Sequence, residues 1–331
     1  MGAVGAAQAG GGIGAVATAL AADHSAFAEL AERHRPALLL HCYRMLGSLE
    51  DAERLVQETL LRAWRGLATF QGRSSMRACL YGIATKACLD ALQRRRRGPD
   101  RSEIAWLQPY PDRLLDAVAP SEDEPEAAIL ATETIELAFL AAIQHLPPTQ
   151  RAVLIARDVL GWSARRTGAL LDASVPAVNS SLQRARATVR KRLPARRPQG
   201  PAGTDPSAAE RALLQRYVEA TERDDLDGLA RLLSDDARHS MPPEPGSWTG
   251  RQVLVALWAE RGFGTREEGR LRCLVTRANR QPAVASYIRR PGEPRHAPMA
   301  LDVLRIEDGL VAEIVTFGSG VFPAFGLPPA L

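Results

Sequence analysis

The residues best suited to chemistry form a basic stretch near the middle of the chain, between Leu170 and Arg197. From Arg184 onward the stretch holds seven Arg or Lys residues and no acid. Before them, Ser174 can cap a helix and Pro176 fits its first turn, where backbone N–H groups lack helical partners. Asn and Gln can pair with adenine edges, and Arg and Lys can neutralise phosphates. The stretch therefore predicts a helix that reads DNA.

The periodicity of this stretch separates an apolar face from a polar one. The apolar face carries Val178, Leu182, Ala185 and Val189. The residues that we expect to contact DNA are Asn179, Ser180, Gln183, Arg184, Arg186 and Arg190. A preceding helix capped by Ser163 and a short turn at Asp172 would complete a helix-turn-helix motif. The alternative is a basic, solvated helix in an all-helical core, because basic helix ends complement the helix dipole.

The composition is that of a multidomain globular protein with a modest excess of positive charge. The chain has 331 residues, a formal net charge of +4 and a pI near 9.1. An acidic partner is therefore indicated by where the charge lies, not by its total. Four cysteines form no CxxC pair and no zinc spacing, which predicts buried free thiols, a reducing cytoplasm, no metal and no cofactor. We find no signal peptide and no apolar run of membrane-spanning length.

The residue pattern changes several times along the chain and predicts a multidomain fold. Helical patterns in the first part give way to one amphipathic helix, a short helix and three strand-like runs, with a hairpin signal at Glu307–Gly309. The fold class is therefore all-α domains followed by an α+β domain. The predicted regions are a disordered segment 1–22, a helical domain 23–97, a linker 98–126, a helix-turn-helix domain 127–193, a linker 194–206 and an α+β domain 207–331.

Several long motifs, in one order, resemble the extracytoplasmic-function class of bacterial RNA polymerase sigma factors. The stretches "HCYRMLGSLEDAERLVQETLLRAWRG" and "RACLYGIATKACLDALQRRRR" resemble the sigma-2 domain. "LPPTQRAVLIARDVLGWSARRTGALLDASVPAVNSSLQRARATV" resembles sigma-4. The resemblance implies a DNA-binding protein that directs core RNA polymerase to promoters, with promoter DNA and core polymerase as partners.

The resemblance also implies a role for three surfaces. Sigma-2 would dock on polymerase through Asp51–Glu58 and open the −10 element through the helix around Tyr81 to Arg97, while sigma-4 would bind the −35 element through Val175–Arg192. The implied polymerase-binding residues are Asp51, Glu53, Arg54, Gln57 and Glu58. The implied −10 contacts are Lys86, Arg94 and Arg95.

The region from about Ser207 onward resembles the SnoaL-like, ketosteroid-isomerase-type cone. "AWLQPYPDRLLD" and "FPAFGLPP" resemble one sigma subgroup that carries this extension, which implies a regulatory domain with a possible small-molecule ligand in its cavity. In enzymes of that fold a carboxylate or His in the cavity moves a proton. The candidates here are Asp236, His239, Glu244, Trp248, Arg251, Asn279, Tyr287, His296, Asp302 and Glu313.

Departures from the sigma pattern keep a second function open. The family favours an acid at Arg54, Arg at Gly82 and Asn at Lys86, and Gly318–Gly320 replaces an Asp-Pro. A sigma-derived enzyme could have lost polymerase docking and act as a cyclase or isomerase on a polyketide-like molecule. Its catalytic residues would be His239, Asp236, Tyr287 and Trp248. A third possibility is a ligand-sensing DNA-binding module that works without polymerase.

Overall fold

The computed structural model describes residues 24–67, 75–97, 107–118, 135–193, 207–244, 246–263 and 269–331. They divide into two compact units. Unit 1 holds most described residues up to Leu193. Unit 2 holds those from Ser207 onward, together with 107–114 and 135–138. The predicted segments 1–22 and 194–206 lie outside the described residues. Within the described ranges, every helix is too short or too polar to cross a membrane.

Unit 1 begins with three helices that pack on one another, α1 (His24–Leu46), α2 (Leu49–Gly66) and α3 (Met76–Arg97). Apolar residues at helical spacing, such as Leu38, Leu55 and Leu80, are buried between them. Gly47 at φ 73° ends α1, and the Ser48 hydroxyl caps α2 by accepting the Asp51 N–H at 3.2 Å. Pro36, which we expected at a helix junction, lies inside α1.

The remaining helices of unit 1 are short until the last one. They are α4 (Asp112–Asp116, shared with unit 2), α5 (Leu137–Gln144), α6 (Pro148–Leu154), a π-helical turn (Ile155–Val159), α7 (Ala164–Leu171) and α8 (Val175–Arg192). The buried Arg151 side chain joins α6 to the preceding helices, donating to the carbonyl oxygens of Met45 at 2.5 Å and Gln144 at 2.7 Å. Because buried carbonyls need partners, Arg151 fixes α1 against α5 and α6.

Unit 2 wraps helices against one six-stranded sheet. Its helices are α9 (Ala208–Arg223), α10 (Leu226–Ala230), α11 (Arg251–Glu260) and α12 (Phe322–Phe325), the last following a 3₁₀ turn (Ser319–Val321). Its strands are β1 (Leu233–Ser240), β2 (Trp248–Thr249), β3 (Arg270–Ala278), β4 (Gln281–Arg289), β5 (Ala297–Glu307) and β6 (Leu310–Gly318). The strand order is β2-β1-β6-β5-β4-β3, with β1 parallel to β6 and all other pairs antiparallel. Leu213, Tyr217, Val284, Leu304 and Ile314 belong to its core.

Two turns in unit 2 were not predicted from the sequence. The first predicted strand-like run reverses at Asn279 and Arg280, both left-handed at φ 57° and 60°, so it forms β3 and β4. The predicted single amphipathic helix is interrupted at Asp224, at φ 61°, which separates α9 from α10. The hairpin signal at Glu307–Gly309 is confirmed, since Asp308 and Gly309 turn β5 into β6. Non-glycine residues in left-handed turns leave a weaker trace in a sequence than Gly does.

Candidate functional site

The helix-turn-helix geometry is present in unit 1. The Ser163 hydroxyl caps α7, accepting the Arg166 N–H at 3.2 Å, and the Ser174 hydroxyl caps α8, accepting the Ala177 N–H at 3.3 Å. Between them Asp172 is left-handed, at φ 52° and ψ 48°. At Gly168 an added Cβ would lie 2.5 Å from the Ala173 carbonyl oxygen, so the turn passes where only glycine fits.

Helix α8 presents the polar face that its sequence predicts. Val178, Leu182, Ala185 and Val189 are buried. The six predicted DNA contacts, Asn179, Ser180, Gln183, Arg184, Arg186 and Arg190, are all exposed. Such an arrangement matches a helix that enters a major groove with short polar residues near its start and cations further along.

The arginines of α8 differ in their own partners. Arg186 forms a bidentate pair with Asp158 of the π-helical turn, with N···O distances of 2.9 and 2.6 Å. Arg184 makes a 3.4 Å contact with the Ser181 hydroxyl and has no carboxylate partner within the described residues. Arg184 is therefore the more available cation for a phosphate, because Arg186 would first have to leave Asp158.

The predicted polymerase-binding residues lie along α2. Ala52, Leu55 and Val56 face the core, whereas Glu53, Arg54 and Gln57 are exposed and Asp51 and Glu58 are half-buried. Arg54 pairs with Asp51 at 3.0 Å, and Asp51 also contacts Arg95 of α3. The positive charge at Arg54, which departs from the family pattern, is thus partly balanced by its own helix. An exposed pair of this kind contributes only about 0–1 kcal/mol to stability.

The predicted −10 residues lie on α3. Lys86, Arg94 and Arg95 are exposed, and Arg95 is the one held by Asp51. Gly82 is not required by close packing, since an added Cβ would stand at an ordinary 3.5 Å from the Leu170 side chain. The absence of a side chain at Gly82 is therefore not required by the fold.

Unit 2 contains a continuous chain of polar side chains around His239. The Trp258 indole N–H donates to His239 Nδ1 at 3.3 Å, and His239 Nε2 lies 2.9 Å from the Thr316 hydroxyl. Thr316 donates to Asp302 at 2.6 Å, and the Tyr217 hydroxyl donates to the other Asp302 oxygen at 3.1 Å. Since Nδ1 accepts, the neutral ring carries its proton on Nε2. Both ring nitrogens are then engaged within the protein.

Burial sets the protonation states along this chain. Burial, aided by the Arg261 charge, lowers the pKa of His239 to about 4, so the ring is neutral at pH 7. Burial raises the pKa of Asp302, against the opposing hydrogen bonds from Thr316 and Tyr217. The pKa of Tyr217 rises through burial and the neighbouring Asp302. His239 thus holds neighbouring groups in place, with no ring nitrogen turned towards a substrate.

Of the other nominated residues of unit 2, Asp302 joins this chain through Thr316, and the Trp248 ring centroid lies 6.0 Å from that of His239. The remaining ones are not gathered around His239. Asp236 is exposed and accepts a hydrogen bond from Ser234. The Tyr287 hydroxyl donates to the Pro328 carbonyl at 3.0 Å, beneath the carboxyl-terminal residues. Glu244 is exposed, Arg251 bonds the Leu233 carbonyl, His296 pairs through its backbone with Leu331, and Glu313 pairs with Arg305.

Asn279 has a different place from the cavity position that we considered. Its side chain accepts the Tyr110 N–H at 2.8 Å and donates to the Ile135 carbonyl at 2.8 Å. Its own N–H donates to the Tyr110 carbonyl at 2.9 Å. The buried Asn279 therefore binds two segments that flank residues 119–134, the stretch between the two predicted DNA-binding regions.

Asp112 reinforces this attachment beside Asn279. Its buried carboxylate accepts the Arg280 N–H at 2.8 Å and pairs with the Arg277 guanidinium at 3.1 Å. Leu137 donates its N–H to the Gln281 side chain at 3.1 Å. We call Arg277–Gln281 the β3–β4 turn. The signal for this turn in the sequence is only the polar run "TRANRQ" inside an otherwise apolar stretch.

The buried His239 predicts that unit 2 loses stability in acid. An unfolded His binds a proton near pH 6.5, whereas the folded ring resists protonation down to about pH 4. The contribution of His239 to stability is therefore fully present above pH 6.5 and falls by about 1.4 kcal/mol per pH unit as the pH drops towards 4. Asp302, whose pKa burial raises, contributes in the opposite direction. Hydrogen exchange of the β1 and β6 peptides would measure this slope.

A variant distinguishes His239 from other acid-sensitive groups. His239→Gln should flatten the pH dependence of exchange in β1 and β6, whereas His145→Gln, at an exposed position of unit 1, should leave it unchanged. Equal slopes for His239→Gln and the parent chain would show that the ring is not the group responsible.

Comparison with known proteins covers all three regions. Residues 30–98 match the family described as Sigma-70 region 2, residues 136–189 match Sigma-70, region 4, and residues 214–314 match the SnoaL-like domain. The chain is 41% identical over 323 residues to the ECF RNA polymerase sigma factor SigG of Mycobacterium tuberculosis H37Rv, covering 92% of this chain and 85% of that protein. It is 28% identical to SigW of Bacillus subtilis, over 52% of this chain and 90% of that one.

One solved structure resembles nearly the whole chain. The extracytoplasmic function sigma factor SigJ of Mycobacterium tuberculosis superposes with a TM-score of 0.58 at 22% identity, covering 90% of this chain and 98% of that one. At this identity the likeness concerns the fold: helical domains followed by a SnoaL-like sheet domain.

Proposed function

This chain belongs to the extracytoplasmic-function RNA polymerase sigma factors, and on that premise we propose how its surfaces divide the work of initiation. It is a transcription initiation factor that binds core RNA polymerase and directs it to promoter DNA. The match over most of the chain to a sigma factor at 41% identity carries this conclusion. We further place its action in the cytoplasm, where its template DNA lies.

In this proposal α8 reads the −35 element. Asn179 and Gln183 are exposed, stand one helical turn apart and can bond base edges, while Arg184 and Arg190 neutralise phosphates. Ser180 lies on the same exposed face of α8. Arg186 contacts DNA only when a phosphate replaces Asp158 as its partner. Lys86, Arg94 and Arg95 on α3 contact the −10 region.

Polymerase docking is assigned to the exposed side of α2. Glu53 and Gln57 are exposed and lie one turn apart, with Arg54 between them and Asp51 and Glu58 at the edge. Rim charges of this kind govern specificity and association rate by matching the charge of the partner surface.

Glu53 supplies the prediction for docking. Glu53→Arg reverses a charge on the proposed face without removing any buried contact, so we expect at least a tenfold weaker affinity for core polymerase and an unchanged free energy of unfolding. Arg54→Ala should not weaken binding. Glu260→Arg, the same change at an exposed position of α11, is the control. Biolayer interferometry with immobilised core polymerase gives the affinities, and equal affinities for Glu53→Arg and Glu260→Arg would remove α2 from the docking surface.

We propose that the SnoaL-like domain regulates the sigma factor through the β3–β4 turn. Because Asn279 and Asp112 tie that turn to segments flanking residues 119–134, the domain influences how regions 2 and 4 are linked. The enzyme alternative gains no support: both nitrogens of His239 are engaged, and Asp236 and Tyr287 lie apart from it.

A further inference from the structure

Unit 2 contains a cavity that none of the roles above uses. Its volume is about 680 Å³, within the usual range for small-molecule sites. It lies at the ends of α9, α11, β3 and β4. One group of lining residues is apolar, namely Trp258, Phe263, Leu271, Ile288 and Met299.

The other lining residues give the cavity a positive charge. Five arginines contribute, namely Arg223, Arg261, Arg270, Arg272 and Arg289, against the two acids Glu222 and Asp224. Glu222 is already engaged, since it accepts the Cys273 N–H at 2.9 Å and lies 4.0 Å from Arg272. Among the described lining residues, cations therefore exceed acids by three.

Arg261 is one of the lining cations that could hold a ligand. Like Arg270 and Arg289, it has no carboxylate partner among the described residues. Its guanidinium lies 5.5 Å from the Trp248 ring centroid and 3.2 Å from the Met241 sulphur. It is close enough to His239 to lower the pKa of that ring. A guanidinium that faces a ring and a sulphur atom, with no carboxylate partner among the described residues, keeps N–H donors available for an anion.

From these observations we propose that the cavity binds an apolar organic anion, such as a long-chain carboxylate. Arg261 binds the anionic group, and the body of the ligand packs on Trp258, Leu271 and Ile288. The arginines alone would also accept a phosphate, but the five apolar lining residues favour a ligand with an apolar body, since a sugar would lose hydration against them without gaining partners there. Ligand binding here is independent of whether the domain regulates transcription.

The test compares an anion with a neutral molecule of the same length. Decanoate and 1-decanol would be titrated into the full-length chain by isothermal calorimetry below their aggregation limits. We expect decanoate to bind at least tenfold more tightly than decanol, because a charge-assisted hydrogen bond to arginine is lost with the alcohol. Equal affinities, or no binding of either probe, would overturn the proposal.

Variants connect this preference to the cavity. Arg261→Gln should weaken decanoate binding at least tenfold and leave decanol binding unchanged, while Arg261→Lys should keep most of the affinity. Arg216→Gln, on the exposed face of α9, is the matched control. Equal effects of Arg261→Gln and Arg216→Gln would place decanoate elsewhere on the surface. Because Arg261 is exposed, its replacement leaves the core intact, and the far-ultraviolet circular dichroism of each variant checks this.

Discussion

Replacing Asn279 by alanine is expected to lower the free energy of unfolding of unit 2 by about 3–7 kcal/mol. The change removes the two buried hydrogen bonds that the Asn279 side chain makes with the Tyr110 N–H and the Ile135 carbonyl, at about 1–3 kcal/mol each. It also places a residue with a poor left-handed preference at φ 57°, for about 1 kcal/mol more. Urea unfolding monitored by tryptophan fluorescence would measure the difference.

The same variant tests how the SnoaL-like domain holds the flanking segments. Amide exchange of peptides covering 107–118 and 135–138 should accelerate in Asn279→Ala. Asn279→Gly separates the two contributions, because glycine accepts the left-handed turn and removes only the side-chain bonds. Amide exchange of these peptides should therefore be as fast in Asn279→Gly as in Asn279→Ala, but the free energy of unfolding should fall less in Asn279→Gly. Unchanged protection of 107–114 in both variants would contradict the proposed attachment.

The second large effect concerns DNA. Arg184→Ala should weaken binding to all sequences and reduce the slope of log affinity against log salt by about 0.9, the amount for one phosphate contact. Arg186→Ala should have a smaller effect, because Arg186 gives up its Asp158 pair before it reaches DNA. Fluorescence anisotropy across a salt series would measure both slopes, with Arg216→Ala as the control.

A residue that contacts bases should affect DNA affinity differently from one that contacts phosphates, because only base contacts depend on the DNA sequence. Asn179→Ala and Gln183→Ala should change the preferred sequence, with about 1–3 kcal/mol lost for the preferred base pair at the affected position. Binding to unrelated DNA should remain nearly constant. An equal loss on preferred and unrelated DNA would exclude base recognition by these two side chains.

Local patterns sufficed for the DNA-binding region. Ser163 and Ser174 are helix caps, and Val178, Leu182, Ala185 and Val189 repeat at helical spacing, so α7 and α8 could be placed from sequence. The order of helical and strand-like runs likewise predicted the fold class, which the SnoaL-like sheet confirms. These features depend on residues only a few positions apart.

Long-range contacts explain what the sequence did not reveal. Tyr217, His239, Asp302 and Thr316 come from four elements, and their contact depends on strand register that no local pattern encodes. Asp302 and Thr316 face each other across β5 and β6, a pairing that requires the hairpin register to be known. The Asn279 contacts join positions 144 and 169 residues apart. The Asp158–Arg186 pair was not predicted for the same reason, because its two residues lie on different helices.

Promoter-directed transcription is the activity that a sigma factor must support. Core RNA polymerase, the full-length chain and a randomised promoter library would be combined, and the transcript 5′ ends sequenced. We expect transcripts that require the chain, start at discrete positions and share upstream motifs at −35 and −10, with the −35 preference altered by Asn179→Ala. The contradicting result would be no chain-dependent transcript from folded protein, with core polymerase that initiates normally when another sigma factor is supplied.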